Sequence, residues 1–193
     1  TGLTLPFIAN TGQTDSSVSF YAQTFAGSVY VTRAGELVYS LPPKDGKPGW
    51  TLVEHFAQGK PHPVGIGVNV SQVSYIKDKH GKAVTETAKT FGKLNLGEVF
   101  SGVKVELVAH GNTVEKIYTV ASRVNASHIR MTVAGSHALT LDANGALLAE
   151  TGHGPVQFSA PIAWQEKQGK KIPVKVSYAL NANSYGFNLG DYD

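Results

Sequence analysis

From residue 125 the chain reads N-A-S-H-I-R-M-T-V-A-G (residues 125–135), then L-T-L-D-A-N-G-A-L-L-A-E-T (139–151). It goes on with P-I-A-W-Q-E-K-Q-G-K-K-I-P-V-K-V-S-Y-A-L (161–180) and closes on Y-G-F-N-L-G-D-Y-D (185–193). Short runs with apolar residues at alternate positions end in glycine-bearing turns, over and over. That period of two, punctuated by Gly and Asn, is the pattern of β-hairpins and contains no helix signal. Asn144-Gly145 is hairpin-turn chemistry, because both residues tolerate a positive φ. The stretch fixes an all-β class and carries no chemistry of its own.

Working outward, the same reading applies upstream. Residues 18–23 and 51–56 read as strands. Residues 28–32 and 36–41 form a hairpin turning at Arg33-Ala34-Gly35, and 103–109 pairs with 113–120 across His110-Gly111-Asn112. Residues 68–76 read as one or two strands before a tight turn at 78–82. Residues 83–96 are polar and threonine-rich and read as irregular, with a helical flavour at 84–89. The expected architecture is an antiparallel β-sandwich with many hairpins. It is either one domain over residues 1–193 or two β-subdomains with a sub-boundary near 77–93. No repeat of fixed length appears, which argues against a propeller or solenoid within the chain.

Composition sets the outer bounds. The chain has 193 residues, of which 41% are hydrophobic and 16% charged, with 21 glycines and a net charge of +3. That length supports a core without staples. The absence of cysteine excludes disulfides and thiolate chemistry. No apolar run approaches the ~20 residues of a membrane helix, so no membrane span is expected. Lys167, Lys170, Lys171 and Lys175 cluster without interleaved aromatics, which reads as a solvated hairpin and not a nucleic-acid footprint.

Catalytic and metal patterns are thin. The histidines at 55, 62, 80, 110, 128, 137 and 153 show neither the i, i+2 nor the i, i+4 spacing of a ligand pair, and read as solvated turn residues. No G-x-S-x-G elbow occurs; Ser101 and Ser136 sit between strands. Asp191 and Asp193 read as a structural turn or cap, and the loop from Asp142 lacks the later ligands of a calcium site. The expectation is a non-enzymatic protein with no cofactor and no metal. Tyr30, Tyr39, Trp50, Trp164 and Tyr178 are the aromatics a carbohydrate-binding face would need, but most are expected in the core.

Two polar and apolar features stand apart. Asn10-Thr11-Gly12-Gln13 is a turn motif in which the amides of Asn10 and Gln13 can bond neighbouring backbone. The segment 1–9 places Leu3, Leu5 and Phe7 on one face. It reads as a strand that another copy could accept at an open sheet edge, which would build a filament.

A family resemblance runs along the chain. Phe7, Asn10, Gly12 and Gln13 fit an opening F-x-x-N-x-G-Q. Phe100, Gly102, Val103 and Val105 approximate a central turn, and residues 139–147 fit L-x-L-D-x-x-G-x-L. Residues 161–166 fit P-x-x-Y-Q-E with Trp164 in place of Tyr, and residues 187–193 fit F-x-L-G-x-Y-D. In this order they resemble the N-terminal all-β domain of bacterial secreted and cell-surface proteins that precedes SBBP-type β-propeller repeats. The resemblance implies a structural or adhesive extracellular module, exported with a signal peptide, followed in relatives by a further strand and the propeller. Partners implied are other protein subunits or cell-surface components, including a homopolymer, and neither nucleic acid nor membrane.

Overall fold

The computed structural model describes residues 3–193, except for the side chains of residues 68–70. The chain is almost entirely antiparallel β. In order the strands are β1 (Thr4–Leu5), β2 (Phe7–Ala9), β3 (Val18–Thr24), β4 (Gly27–Thr32), β5 (Leu37–Leu41) and β6 (Trp50–Phe56). Then come β7 (Val64–Lys79), β8 (Lys82–Phe100), β9 (Val103–His110) and β10 (Val114–Val120). After a single 3-10 turn at Ala126–His128 follow β11 (Met131–Ala134), β12 (Leu139–Leu141), β13 (Leu147–Ala149) and β14 (Val156–Phe158). The last are β15 (Ala163–Lys167), β16 (Lys170–Val174), β17 (Val176–Asn181) and β18 (Ser184–Leu189).

Thirteen of these strands form one sheet with the path β1-β9-β8-β2-β3-β4-β5-β6-β11-β18-β17; β10 adds to β9 and β7 to β8. A three-stranded sheet (β12-β13-β14) and a two-stranded ribbon (β15-β16) complete the fold. Although β10 lies near one end of the path, its Lys116 reaches Glu54 of β6 and its Tyr118 packs on Phe187 of β18 at 5.5 Å. The large sheet therefore curls into facing layers, and the three-stranded sheet closes the core with Leu147, Ala149 and Phe158.

Alternation explains the layers. In β9, Val103, Val105, Leu107 and Ala109 are buried while their neighbours face outward. In β6 the inward positions are Leu52, Glu54 and Phe56. One expectation needs correction. Residues 83–96 are neither irregular nor helical, but lie in β8, the longest strand at 19 residues. Threonines at 85, 87 and 90 suit a pleated strand, and pairing with β7 overrides the weak helical composition. Residues 68–76 are a single strand through a bulge between Val68 and Gln72. The expected sub-boundary at 77–93 falls inside this hairpin. Among the described residues the short 3-10 turn is the only helical element.

The Asn144-Gly145 hairpin also forms differently. Only Gly145 takes a positive φ, at 80°. Asp142 organises the loop by accepting from the backbone N–H of Asn144 at 2.8 Å and of Ala146 at 2.9 Å.

Candidate functional site

The polar centre of the protein is the carboxylate of Glu54, which is 0% exposed. It points inward because it shares a strand face with Leu52 and Phe56. Tyr39 on β5 donates to Oε1 at 2.6 Å, Lys116 Nζ on β10 donates to the same oxygen at 2.8 Å, and Tyr185 on β18 donates to Oε2. The Lys116 side chain is only 8% exposed and its ammonium sits 4.8 Å over the Phe158 ring. Four strands thus converge on one carboxylate. A charge this deep needs such partners, because leaving it unpaired costs several kcal/mol, about 3–5.

The surroundings hold the tyrosines neutral. Burial, and next the Glu54 charge, push the Tyr39, Tyr118 and Tyr185 hydroxyls well above the ordinary tyrosine range. Tyr178 shifts in the same direction for the same reasons. The buried Tyr118 hydroxyl has no hydrogen-bond partner among the described residues, whereas Tyr178 donates to the Ser159 carbonyl at 2.8 Å. Sequence reading singled out Tyr39 and Tyr178 only as aromatics and missed Glu54 and Lys116. The signal was present: each charge occupies an inward position in an otherwise apolar alternation, Leu52-x-Glu54-x-Phe56 and Val114-x-Lys116-x-Tyr118-x-Val120.

A second feature is the β7–β8 ribbon. β7 pairs along its length with β8, and among the described residues its other side has no ladder partner. No charged residue occurs from 64 to 76, and Ile76 is 76% exposed. The ribbon is braced where it leaves the body. The Tyr75 hydroxyl meets Thr11 Oγ1 at 2.8 Å and Glu86 Oε2 at 2.7 Å, and Lys79 pairs with Glu86. The hydrogen bonds from Lys79 and then Tyr75 hold the Glu86 carboxyl below its ordinary value.

The turn motif at Asn10 feeds this brace. Asn10 Nδ2 donates to the carbonyls of Asp15 (2.7 Å) and Val18 (2.9 Å), while its Oδ1 accepts from the Gly12 N–H at 3.0 Å. Gln13 Nε2 donates to the Ala9 carbonyl at 2.8 Å and its Oε1 accepts from the Thr11 N–H at 2.7 Å. Gly12 adopts φ 116°, open to glycine at little cost. All polar ends of Asn10 and Gln13 are thus engaged with backbone, which aims Thr11 at Tyr75.

Leu3, Leu5 and Phe7 do not stand together as a free strand. Leu3 is exposed, Leu5 pairs with Ala109 of β9, and Phe7 is fully buried in β2, between β8 and β3. The histidines remain dispersed, and among the described residues no group of three or more metal-ligating side chains forms. His80 occupies a ribbon-tip turn as expected. His153 does not fit the solvated reading, since both its ring nitrogens are buried and it packs on Trp50 at 6.1 Å. Trp164 alone of the named aromatics is strongly exposed, at 50%, with Lys171 over its ring. The closing Tyr192-Asp193 acts as a clasp. The Tyr192 hydroxyl accepts from the Ala126 N–H and donates to the Val124 carbonyl, and Asp193 pairs with Lys167.

A family model described as a domain of unknown function (DUF7948) matches residues 7–193. The chain belongs to this family. No curated protein and no solved structure matches it. The DUF7948 match takes in the Glu54 centre, the Asn10 turn and the whole β7–β8 ribbon, so each is part of the domain proper.

Proposed function

We propose that this DUF7948 domain is a non-enzymatic structural module of a secreted or cell-surface bacterial protein, and that it joins a second copy by strand addition along β7. The observation that carries this reading is the edge itself. β7 spans 16 residues with one side unpaired among the described residues, and its first part carries no charge. Edge strands are ordinarily protected by charges, prolines or brevity, because their free N–H and C=O groups recruit another strand. Here the charges are confined to the tip, at Lys77, Asp78 and Lys79, and the one bulge leaves residues 64–66 and 72–76 on either side of it. Backbone pairing along such an edge provides affinity without any catalytic residue. The brace from Thr11 supports the reading further, since a rigid ribbon loses less entropy on pairing.

The test is sedimentation over a concentration series, with electron microscopy of the same samples. Wild-type protein is expected to associate, and Ile66→Lys with Ile76→Lys to stay monomeric with an unchanged fold. Association that survives the two lysines removes β7 as the contact, and a wild type that is monomeric throughout removes the self-assembly.

A second reading is favoured by the N-terminal segment. β1 and β2 are short, of 2 and 3 residues, and β2 fills a slot between β8 and β3. The same slot in a neighbouring copy would accept it with identical contacts, giving a filament by exchange. Deleting residues 1–9 would then abolish polymers, whereas the two β7 lysines would leave them intact.

A further inference from the structure

Glu54 and Lys116 bring a carboxyl group and an amine into contact in the core. Lys116 Nζ lies 2.8 Å from Glu54 Oε1, with the carboxylate fully buried and the lysine side chain nearly so. Strands β6 and β10 are not ladder neighbours, and the two residues stand 62 positions apart in sequence. We propose that Lys116 and Glu54 condense to an intramolecular amide that ties the two facing layers of the sandwich together.

The chemistry needs no outside reagent. The step begins when one proton passes from Nζ to Oε1 across their 2.8 Å hydrogen bond, which leaves a neutral amine and a carboxylic acid. The neutral amine is the nucleophile. Its lone pair forms the Nζ–Cδ bond. Charge building on Oε2 is met by the Tyr185 hydroxyl, a donor already aimed at that oxygen. The Cδ–Oε1 bond then breaks. Oε1 departs as water with the proton it first received and a second proton from Nζ, along the side where Tyr39 holds it at 2.6 Å. An ammonium and a carboxylate become one amide and one water, with no change of oxidation state. Holding the two groups in contact within the core supplies the proximity that such a condensation lacks in solution. Phe158, under the ammonium at 4.8 Å, shields the site from the water that would reverse the reaction.

The experiment is the intact mass of the folded wild-type chain, measured after denaturation, followed by peptide mapping. The expected result is a mass lower than the sequence mass by one water. That loss should map to a branched species joining the peptide around Glu54 to the peptide around Lys116, with trypsin failing to cut after Lys116. Lys116→Met should show the full mass. Tyr185→Phe should form the link more slowly after refolding. A wild type at full mass after prolonged incubation in the folded state overturns the proposal. So does a water loss that maps elsewhere or persists in Lys116→Met. The wild-type measurement decides the matter even if a variant fails to fold.

Discussion

The Tyr39 hydroxyl donates to Glu54 Oε1 over 2.6 Å, from one strand to its neighbour, deep in the core. Tyr39→Phe removes the donor and keeps the ring, which packs edge-on against Phe158 at 5.7 Å. The change therefore isolates the hydrogen bond from the packing. A bond to a charged acceptor contributes about 1.5–3 kcal/mol. Urea unfolding of Tyr39→Phe should show a loss in that range as a lower midpoint with an unchanged slope. A neutral result would mean that Tyr185 and Lys116 suffice to hold the carboxylate, or that its condensation with Lys116 has already removed the acceptor.

The tyrosines around Glu54 make the fold sensitive to alkali. Burial first, and the Glu54 charge second, raise the Tyr39, Tyr118 and Tyr185 values in the folded state. Above pH about 10 the unfolded chain releases these protons while the folded chain keeps them. The folded state then binds more protons, so stability is full below that pH and falls as pH rises further. Tyrosinate absorbance and near-ultraviolet circular dichroism should change together in one steep alkaline transition. Tyr118→Phe should move its midpoint upward. It should also be neutral or mildly stabilising at pH 7, because the hydroxyl it removes is buried without a partner.

Much of the ladder was legible because alternation and turn glycines are local signals. The β4–β5 and β9–β10 hairpins sit where the composition placed them. The β8 strand was not legible. Its Lys, Thr and Glu residues resemble a solvated helix until β7 supplies a partner, and that pairing is a tertiary fact. The Glu54 centre was half legible. A charged residue at an inward position announces a buried charge, but which of many lysines answers it depends on how the sheet curls. Lys116 lies far along the sheet path from Glu54 and meets it only across the core. The amides of Asn10 and Gln13 bond neighbouring backbone, but the link of this turn to Tyr75, 64 residues on from Thr11, was beyond any local pattern.

That link predicts how the ribbon behaves. Tyr75→Phe cuts the contacts to both Thr11 and Glu86 while leaving the β7–β8 ladder intact. Amides of the outer ribbon should exchange faster in the variant, with core amides unchanged. Acid should weaken the same brace. Glu86 has a folded-state value below its unfolded one, so its contribution holds above the ordinary carboxylate range and is lost as pH falls through the lowered value. Exchange of the outer ribbon in the wild type should therefore approach that of Tyr75→Phe at low pH. A ribbon equally protected in both proteins at neutral pH would show that ladder pairing alone keeps it rigid.

Phe7 tests whether the N-terminal segment is a fixture or a plug. It is fully buried, and β2 bridges β8 and β3 through Phe7↔Phe91, Ile8↔Thr90 and Ile8↔Tyr21. Phe7→Ala should cost about 3–5 kcal/mol, since it empties a slot lined on both sides by strands. Removing residues 1–9 should cost more and expose the β8 and β3 edges together. A synthetic peptide of residues 1–13 carries the Phe7 side chain and the Asn10–Gln13 turn that fixes its entry. Added to the truncated chain, it should restore the thermal transition in a concentration-dependent way, as any ligand selective for the folded state does. The same peptide bearing Phe7→Ala should fail to rescue. Rescue by the wild-type peptide would establish that the slot accepts its strand in trans, the property that exchange between copies requires. A truncated chain that stays unfolded at every peptide concentration would instead make β2 an obligate part of its own chain's folding and remove the exchange route to a filament.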